Sequence, residues 1–243
     1  MIAIIDYGIG GLGLYKMIRK DFPKLPLIYF SDSGEIPYGK LSKRALRARI
    51  EKVFAFLENE GADKIIVACH SASSVVKDSD KNTVGLRSQT VKAVTKRKPK
   101  SVGIIGGGRT IRSGFYKREL NKVGIKTSQR VAQPLSILVE RGEVEGILVE
   151  EAVKKIMKPL DHCDSILLAC THYPVLSGVF KKYTNAKLID PVKELYDSIY
   201  KDLVKMKTRG KTKFITTGDA NLMQIAAKTA FHIRIAKPFS VTF

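Results

Sequence analysis

Three things are scarce in this 243-residue chain, and each scarcity closes off a class of function. Cysteine occurs three times, at Cys69, Cys163 and Cys170. The number is odd and no C-x-x-C pair is formed, so neither a disulfide framework nor a zinc site is expected. Long apolar runs are also missing. No stretch approaches the ~20 residues needed to cross a bilayer, so no membrane association is expected. The opening Met1-Ile2-Ala3-Ile4-Ile5-Asp6 lacks the basic region and cleavage site of a secretory signal; it reads as a first strand, and a cytoplasmic location is expected. Acidic residues are the third shortage, with 23 Asp and Glu against 43 Lys and Arg, a formal charge of +20. The basic excess gathers in two runs: Lys92, Lys96, Arg97, Lys98 and Lys100, then Lys201, Lys205, Lys207, Arg209, Lys211 and Lys213. Such runs can bind nucleic acid or an acidic surface. No helix-turn-helix, zinc-finger or aromatic-platform signature accompanies them, so solvated helix ends are the simpler reading and nucleic-acid binding the lesser alternative.

What the chain does contain is one stretch that occurs twice. Asp63-Lys64-Ile65-Ile66-Val67-Ala68-Cys69-His70 and Asp164-Ser165-Ile166-Leu167-Leu168-Ala169-Cys170-Thr171 share one pattern. Each is an acid, a polar residue, a short apolar run, and then Ala-Cys with a polar residue after it. Short apolar runs bounded by polar residues describe buried parallel strands. In open α/β sheets, ligands bind outside the carboxyl ends of the strands, where both cysteines fall. A second echo, between Ile2-Ala3-Ile4-Ile5-Asp6-Tyr7-Gly8 and Val102-Gly103-Ile104-Ile105-Gly106-Gly107-Gly108, lies at nearly the same offset. The expected fold is therefore α/β: two pseudo-symmetric, flavodoxin-like halves with mostly parallel sheets and an active site in the cleft between them.

Taken in order, strands are expected at 2–5, 27–30, 64–68, 102–105, near 126–131, and at 166–169, 187–189 and 214–216. Helical spacing of Leu46, Ile50, Val53, Phe54 and Leu57 marks a long helix over 42–60, stopped by Gly61. Residues 143–156 and 192–205 are expected to be helical, with a last helix from about 222. A basic linker with Pro99 carries the chain into the second half, and the 192–205 helix returns it. The expected division is 1–97 with 206–243 as one domain and 98–205 as the other.

Two motifs invite other readings. Gly8-x-Gly10-x-x-Gly13 follows a strand, opens a helix and has Asp32 about 20 residues on, as a dinucleotide fingerprint would. Against it, Asp6 stands at the mouth of that turn and would repel a pyrophosphate. Cys170, His172 and Asp6 would make a protease-like set, but that leaves the second cysteine without a purpose. A single buried cysteine at a strand end is more often a small hydrophobe than a nucleophile. Two in matching positions, one beside an imidazole, weigh toward chemistry.

The same residues carry a family resemblance over almost the whole chain. Asp6-Tyr7-Gly8-Ile9-Gly10-Gly11, Pro37-Tyr38-Gly39, Cys69-His70-Ser71-Ala72, the segment 134–140, Cys170-Thr171-His172-Tyr173-Pro174 and Thr216-Thr217-Gly218-Asp219 together resemble the cofactor-independent aspartate/glutamate racemases, glutamate racemase among them. The resemblance implies an isomerase that interconverts L- and D-glutamate, needs no cofactor or metal, supplies D-glutamate for peptidoglycan, and forms a homodimer. It implies Cys69 and Cys170 as the two acid/base groups, with Asp6 assisting the first and His172 the second. It also implies substrate contacts from Tyr7, Pro37, Tyr38, Gly39, His70, Ser71 and Thr171. Backbone amides at Ser71 and Ala72 and at Thr171 and His172 would receive the substrate carboxylates. Two positions depart from the family pattern. Tyr7 replaces a serine and puts a ring where the amino acid should lie; His70 replaces an asparagine with a group that can charge near neutrality. The alternatives are a racemase of another acidic amino acid such as aspartate, a related decarboxylase or isomerase, or a catalytically impaired, basic, nucleic-acid-associated protein on the same fold.

Overall fold

Strands of the expected kind are present in a computed structural model, which describes residues 1–34, 36–76, 82–206 and 210–242. Glu35, in the polar loop after the second strand, and Lys207 and Arg209 of the second basic run lie outside the described residues. The strands are β1 (Ile2–Asp6), β2 (Leu27–Ser31), β3 (Lys64–Val67), β4 (Thr83–Gly85), β5 (Ser101–Gly106), β6 (Lys126–Val131), β7 (Ser165–Ala169), β8 (Lys187–Ile189), β9 (Lys213–Thr216) and β10 (Phe239–Ser240). They form two sheets, ordered β10-β9-β2-β1-β3-β4 and β6-β5-β7-β8, and every pairing between them is parallel. The order β2-β1-β3-β4 in one sheet is repeated as β6-β5-β7-β8 in the other, which is the pseudo-symmetry the echoed stretches implied.

Burial explains the composition of these strands. All five residues of β1, β2 and β7 are buried, so both sheet faces must be apolar, and the runs are continuous rather than alternating. On one face Ala3, Ile5, Ile28 and Phe30 meet Leu46, Ile50, Val53 and Leu57 of the helix Lys43–Asn59. Ser42 caps that helix by accepting from the amide of Ala45 at 3.1 Å. On the other face Ile4, Tyr29 and Ile66 belong to an apolar cluster that runs on to Ile105, Ile166 and Leu168 of the second sheet. Leu195, Ile199 and Leu203 of the returning helix Val192–Lys205 are part of it. The two sheets thus share one continuous core, which fixes the cleft between them.

Some elements differ from expectation. The helix expected over 143–156 is Ile147–Met157, because Gly146, at φ +98°, takes a backbone that does not continue into a helix. The three- and two-residue strands β4 and β10 are too short to leave a periodic signal. Among the described residues, no helix is long and apolar enough to cross a membrane.

The topology places chemistry. In a sheet ordered 2-1-3-4 the strand order reverses between the first and third strands, and the crevice opens there. Asp6 ends β1 and Cys69 follows β3; Gly106 ends β5 and Cys170 follows β7.

Candidate active site

Cys69 and Cys170 open onto one narrow cavity of about 30 Å³, shared with Asp6, Tyr7, Tyr38, Gly39, His70, Ser71, Thr171 and His172. Every residue expected at the site is therefore gathered there except Pro37, which lines an adjoining outer cavity of about 300 Å³. Gln133 and Ser136 also line the inner cavity, and nothing in the sequence singles them out.

Around Cys69 the groups are buried and acidic. The residue is only 7% exposed. Burial pushes the thiol well above its ordinary pKa and the Asp6 carboxylate adds to the effect, while the amides of Ala72 and Tyr7 oppose it by donating to the sulfur. The Ala72 amide, expected to receive a substrate carboxylate, is thus directed at Cys69. Asp6 is fully buried. Its Oδ1 accepts from the Tyr7 amide at 2.7 Å and its Oδ2 from the Thr171 hydroxyl at 2.7 Å. Burial raises Asp6 above the usual carboxylate range, against the pull of His172 and these two donors.

Around Cys170 the arrangement is a relay. His172 Nδ1 lies 3.5 Å from Cys170 Sγ, and His172 Nε2 is paired with Glu140 Oε1. Glu140 is itself held by the Ile9 amide, which donates to Oε1 at 2.7 Å. Burial alone would push the imidazole down; Glu140 and Cys170 overcome it and hold His172 well above the ordinary histidine range. Such a cation between a carboxylate and a sulfur can balance a thiolate or return a proton to it. Glu140 closes the segment 134–140, and nothing in the sequence gives it a role.

The glycine turn has a different cause from phosphate binding. A Cβ on Gly8 would fall on the Glu140 carboxylate, and one on Gly10 on the side chains of Thr171 and His172. Both glycines let the first half approach the relay of the second. Asp32 is not available to a ribose: it is fully buried, ion-paired to Arg49 through both carboxylate oxygens, and accepts from Tyr38 Oη at 2.5 Å and Thr217 Oγ1 at 2.9 Å. The Thr-Thr-Gly-Asp segment thus braces the site through Thr217, while Asp219 caps the helix Ala220–Phe231.

His70 does not behave as the sequence reading expected. The residue is 4% exposed, its ring edge-on to Tyr116, with Nδ1 2.8 Å from Tyr116 Oη. Burial pushes its pKa down to about 3, so it is neutral at physiological pH and is no charge switch. Ser71 Oγ sits 3.3 Å from Thr110 Oγ1. The Tyr38 hydroxyl is spent on Asp32, leaving its ring as cavity wall, 5.5 Å centroid to centroid from Tyr7. Among the described residues, no three His, Cys, Asp or Glu side chains converge to hold a metal.

Against known proteins, a family model described as Asp/Glu/hydantoin racemase matches residues 13–199. Glutamate racemase of Persephonella marina is 32% identical over 229 residues, covering 90% of this chain and 88% of that protein. Glutamate racemase of Aquifex aeolicus is 30% identical over 233 residues, covering 92% and 91%. The crystal structure of glutamate racemase from Francisella tularensis in complex with D-glutamate superposes with a TM-score of 0.89 at 25% identity, covering 99% of this chain and 97% of that one.

Proposed function

The chain belongs to the Asp/Glu/hydantoin racemase family, and we propose that it interconverts L- and D-glutamate by a two-base reaction at Cys69 and Cys170. One observation carries this reading: two thiols from equivalent strand ends of two sheets line a single cavity. Racemisation removes the α-proton from one face of a carbon and returns a proton to the other. Without a cofactor it needs two acid/base groups on opposite faces, and two pseudo-symmetric halves supply one each.

In the proposed reaction one cysteine, as thiolate, takes the α-proton, and the other, as thiol, delivers a proton to the opposite face. His172, positioned by Glu140, serves Cys170. Asp6 lies on the Cys69 side, with its charge felt by that thiol. Gln133, Ser71 and Ser136 offer polar groups to the substrate, and Tyr7, Tyr38 and Gly39 shape it. On this reading the two units are 1–97 with 206–243 and 98–205. The family resemblance carries the remaining proposals: D-glutamate for peptidoglycan precursors, a cytoplasmic enzyme, a homodimer, and no cofactor. Aspartate is the second reading, favoured by one observation, the Tyr7 ring at a cavity already narrow for glutamate.

The test is incubation with L- and D-glutamate and L- and D-aspartate in deuterated water. Solvent deuterium at Cα together with loss of optical rotation is expected with glutamate. Exchange confined to aspartate would move the assignment to the second reading, and no exchange with any of the four would reject a racemase of acidic amino acids.

A further inference from the structure

More than half of the formal charge of +20 sits in one stretch: residues 87–131 carry thirteen Lys and Arg against a single acid, Glu119. The fold turns that stretch into a surface. Helix Arg87–Thr95 packs beside helix Phe115–Lys122, and the latter packs on β6. Their buried sides, Ala93, Val94, Tyr116 and Leu120 among them, share one apolar cluster with Val102, Ile104 and Leu167, so both helices lie on the same face of the second sheet. The Arg87 guanidinium stacks over the Phe115 ring, 3.9 Å from Cζ to the ring centre, so the two helices start together. Lys92 and Lys96 beside the first, and Lys117 and Lys122 on the second, are exposed. Lys98 and Lys100 extend the strip past the first helix, and Lys126 and Arg130 extend it along β6, at the open edge of the sheet. Carboxylates do little to offset it. Glu119 pairs with Lys122. On the neighbouring helix Val192–Lys205 each acid is already paired: Glu194 with Arg97, Asp197 with Lys193 and Asp202 with Lys64.

We propose that this face, the helices Arg87–Thr95 and Phe115–Lys122 with the strip that continues them, docks on a nucleic-acid duplex through its phosphate backbone, without reading sequence. Residues four apart on a helix, the spacing of Lys92 and Lys96, stand about 6 Å apart along its axis, and packed helices lie ~8–10 Å apart. The two rows of cations are thus spaced between the ~6 Å and ~12 Å widths of the duplex grooves, and flexible lysine stems can reach phosphates of both strands. Chemistry separates a duplex from other polyanions. A single strand needs aromatic faces on which its bases stack; here Tyr116 is buried and Phe115 is covered by Arg87. A helical face that settles on a membrane inserts large apolar side chains among its cations, and none is exposed on these two helices. None of the cations named lines the cavity that holds the cysteines. The docking face therefore stands apart from the racemase reading.

Fluorescence anisotropy of a labelled duplex DNA of about 20 base pairs, titrated with the full chain at about 0.05–0.2 M salt, tests this. The face variant combines Lys92→Glu, Lys96→Glu and Lys117→Glu. A control combines Lys228→Glu, Arg234→Glu and Lys237→Glu, exposed positions in the segment that carries the chain from β9 to β10, at the opposite edge of the first sheet from β4. Both variants change the net charge by the same amount. The parent should bind, with log affinity falling linearly in log salt. Loss of three phosphate contacts should make that slope shallower by ~2.7 and lower affinity at 0.1 M salt by on the order of 10²–10³-fold. The control should stay within ~5-fold of the parent, because at that salt charges more than ~10 Å from the phosphates are screened. Equal losses in the two variants would mean that net charge, and not this face, holds the DNA, and would overturn the proposal. So would a parent that leaves the DNA free at about 0.05 M salt. Tighter binding to a single strand of the same length, or to phosphatidylglycerol vesicles, would overturn the duplex as occupant. Should the face variant fail to fold by circular dichroism, Lys92→Gln with Lys96→Gln and Lys117→Gln removes the same contacts without adding repulsion and is held to the same change in slope. Deuterium exchange at Cα of glutamate should be the same in the parent and every variant, and a failed racemase assignment leaves the DNA result standing.

Discussion

The surroundings of Cys69 and Cys170 differ although the two cysteines stand at matching strand ends. Cys69 is enclosed by apolar residues and faces the Asp6 carboxylate, so its thiol is pushed toward the protonated form. Cys170 is half-buried and adjoins a histidine that a second carboxylate holds charged. Repetition of the backbone therefore did not repeat the electrostatics. The difference suits the proposed two-face reaction, in which at any moment one sulfur carries a proton and the other does not. The halves are also not independent: Glu140 of the second half is held by the Ile9 amide of the first, and Thr171 of the second donates to Asp6 of the first.

The largest effect should come from breaking either side outright. Cys69→Ser and Cys170→Ser should each lower racemisation by ~10²–10⁴-fold, because a serine hydroxyl is far too weak an acid to work as the base near neutrality. Deuterium exchange measured from each enantiomer separately sharpens the comparison. Each variant should retain exchange, without inversion, for only the enantiomer whose α-hydrogen faces the surviving cysteine, and the two variants should retain opposite enantiomers. Near-parent turnover in both directions from either variant would remove the one-face-each assignment.

Glu140→Gln tests the asymmetry more gently. It leaves a neutral partner for His172, so the opposing pull of burial gains weight and the imidazole should titrate lower than in the parent. Ring-proton NMR of the four histidines checks this. Racemisation should fall by ~10–100-fold, part of what one positioned acid/base group contributes, with a changed pH profile. The linkage has a definite sign. A histidine raised by its partner stabilises the fold fully below the unfolded value near 6.5, and that contribution is lost as pH rises through the higher folded value. The Tm difference between parent and Glu140→Gln should thus be widest below pH 6.5 and narrow on the alkaline side. A constant difference would mean that Glu140 acts by packing alone.

The smallest effect is expected at His70. Because burial keeps it neutral, His70→Asn should leave the shape of the pH profile unchanged. It should cost about 1 kcal/mol in thermal or denaturant unfolding for the lost Tyr116 hydrogen bond. A shifted acid limb in the variant would restore His70 as a titrating group.

Much of this was legible in one dimension. The doubled Ala-Cys stretch marked the strands β3 and β7 and put a cysteine beyond each, because strands buried on both faces must be written as unbroken apolar runs. The helix Lys43–Asn59 was legible from the spacing of Leu46, Ile50, Val53 and Leu57. What escaped was either short, as with β4 and β10, or non-local. Glu140 lies 32 residues before His172, and nothing in its neighbourhood announces a partner. Gln133 and Ser136 read as ordinary residues of the helix Gln133–Glu140 until the fold turns them to the cavity. The glycine turn was legible as a close approach, but what approaches it, the Glu140 carboxylate and Thr171 rather than a pyrophosphate, was not.

The sequence by itself determined the longer elements, their parallel pairing, the pseudo-symmetry of the halves and the identity of the two sulfurs, since all of these follow from local periodicity and from where apolar runs stop. Tertiary structure alone decided the charge state of each group. Asp6 is raised, His70 is held neutral and His172 is held charged because of how deeply each is buried and which charge stands beside it. Desolvation and Coulomb interaction depend on distance through space, and residues far apart in the chain supply most of that environment.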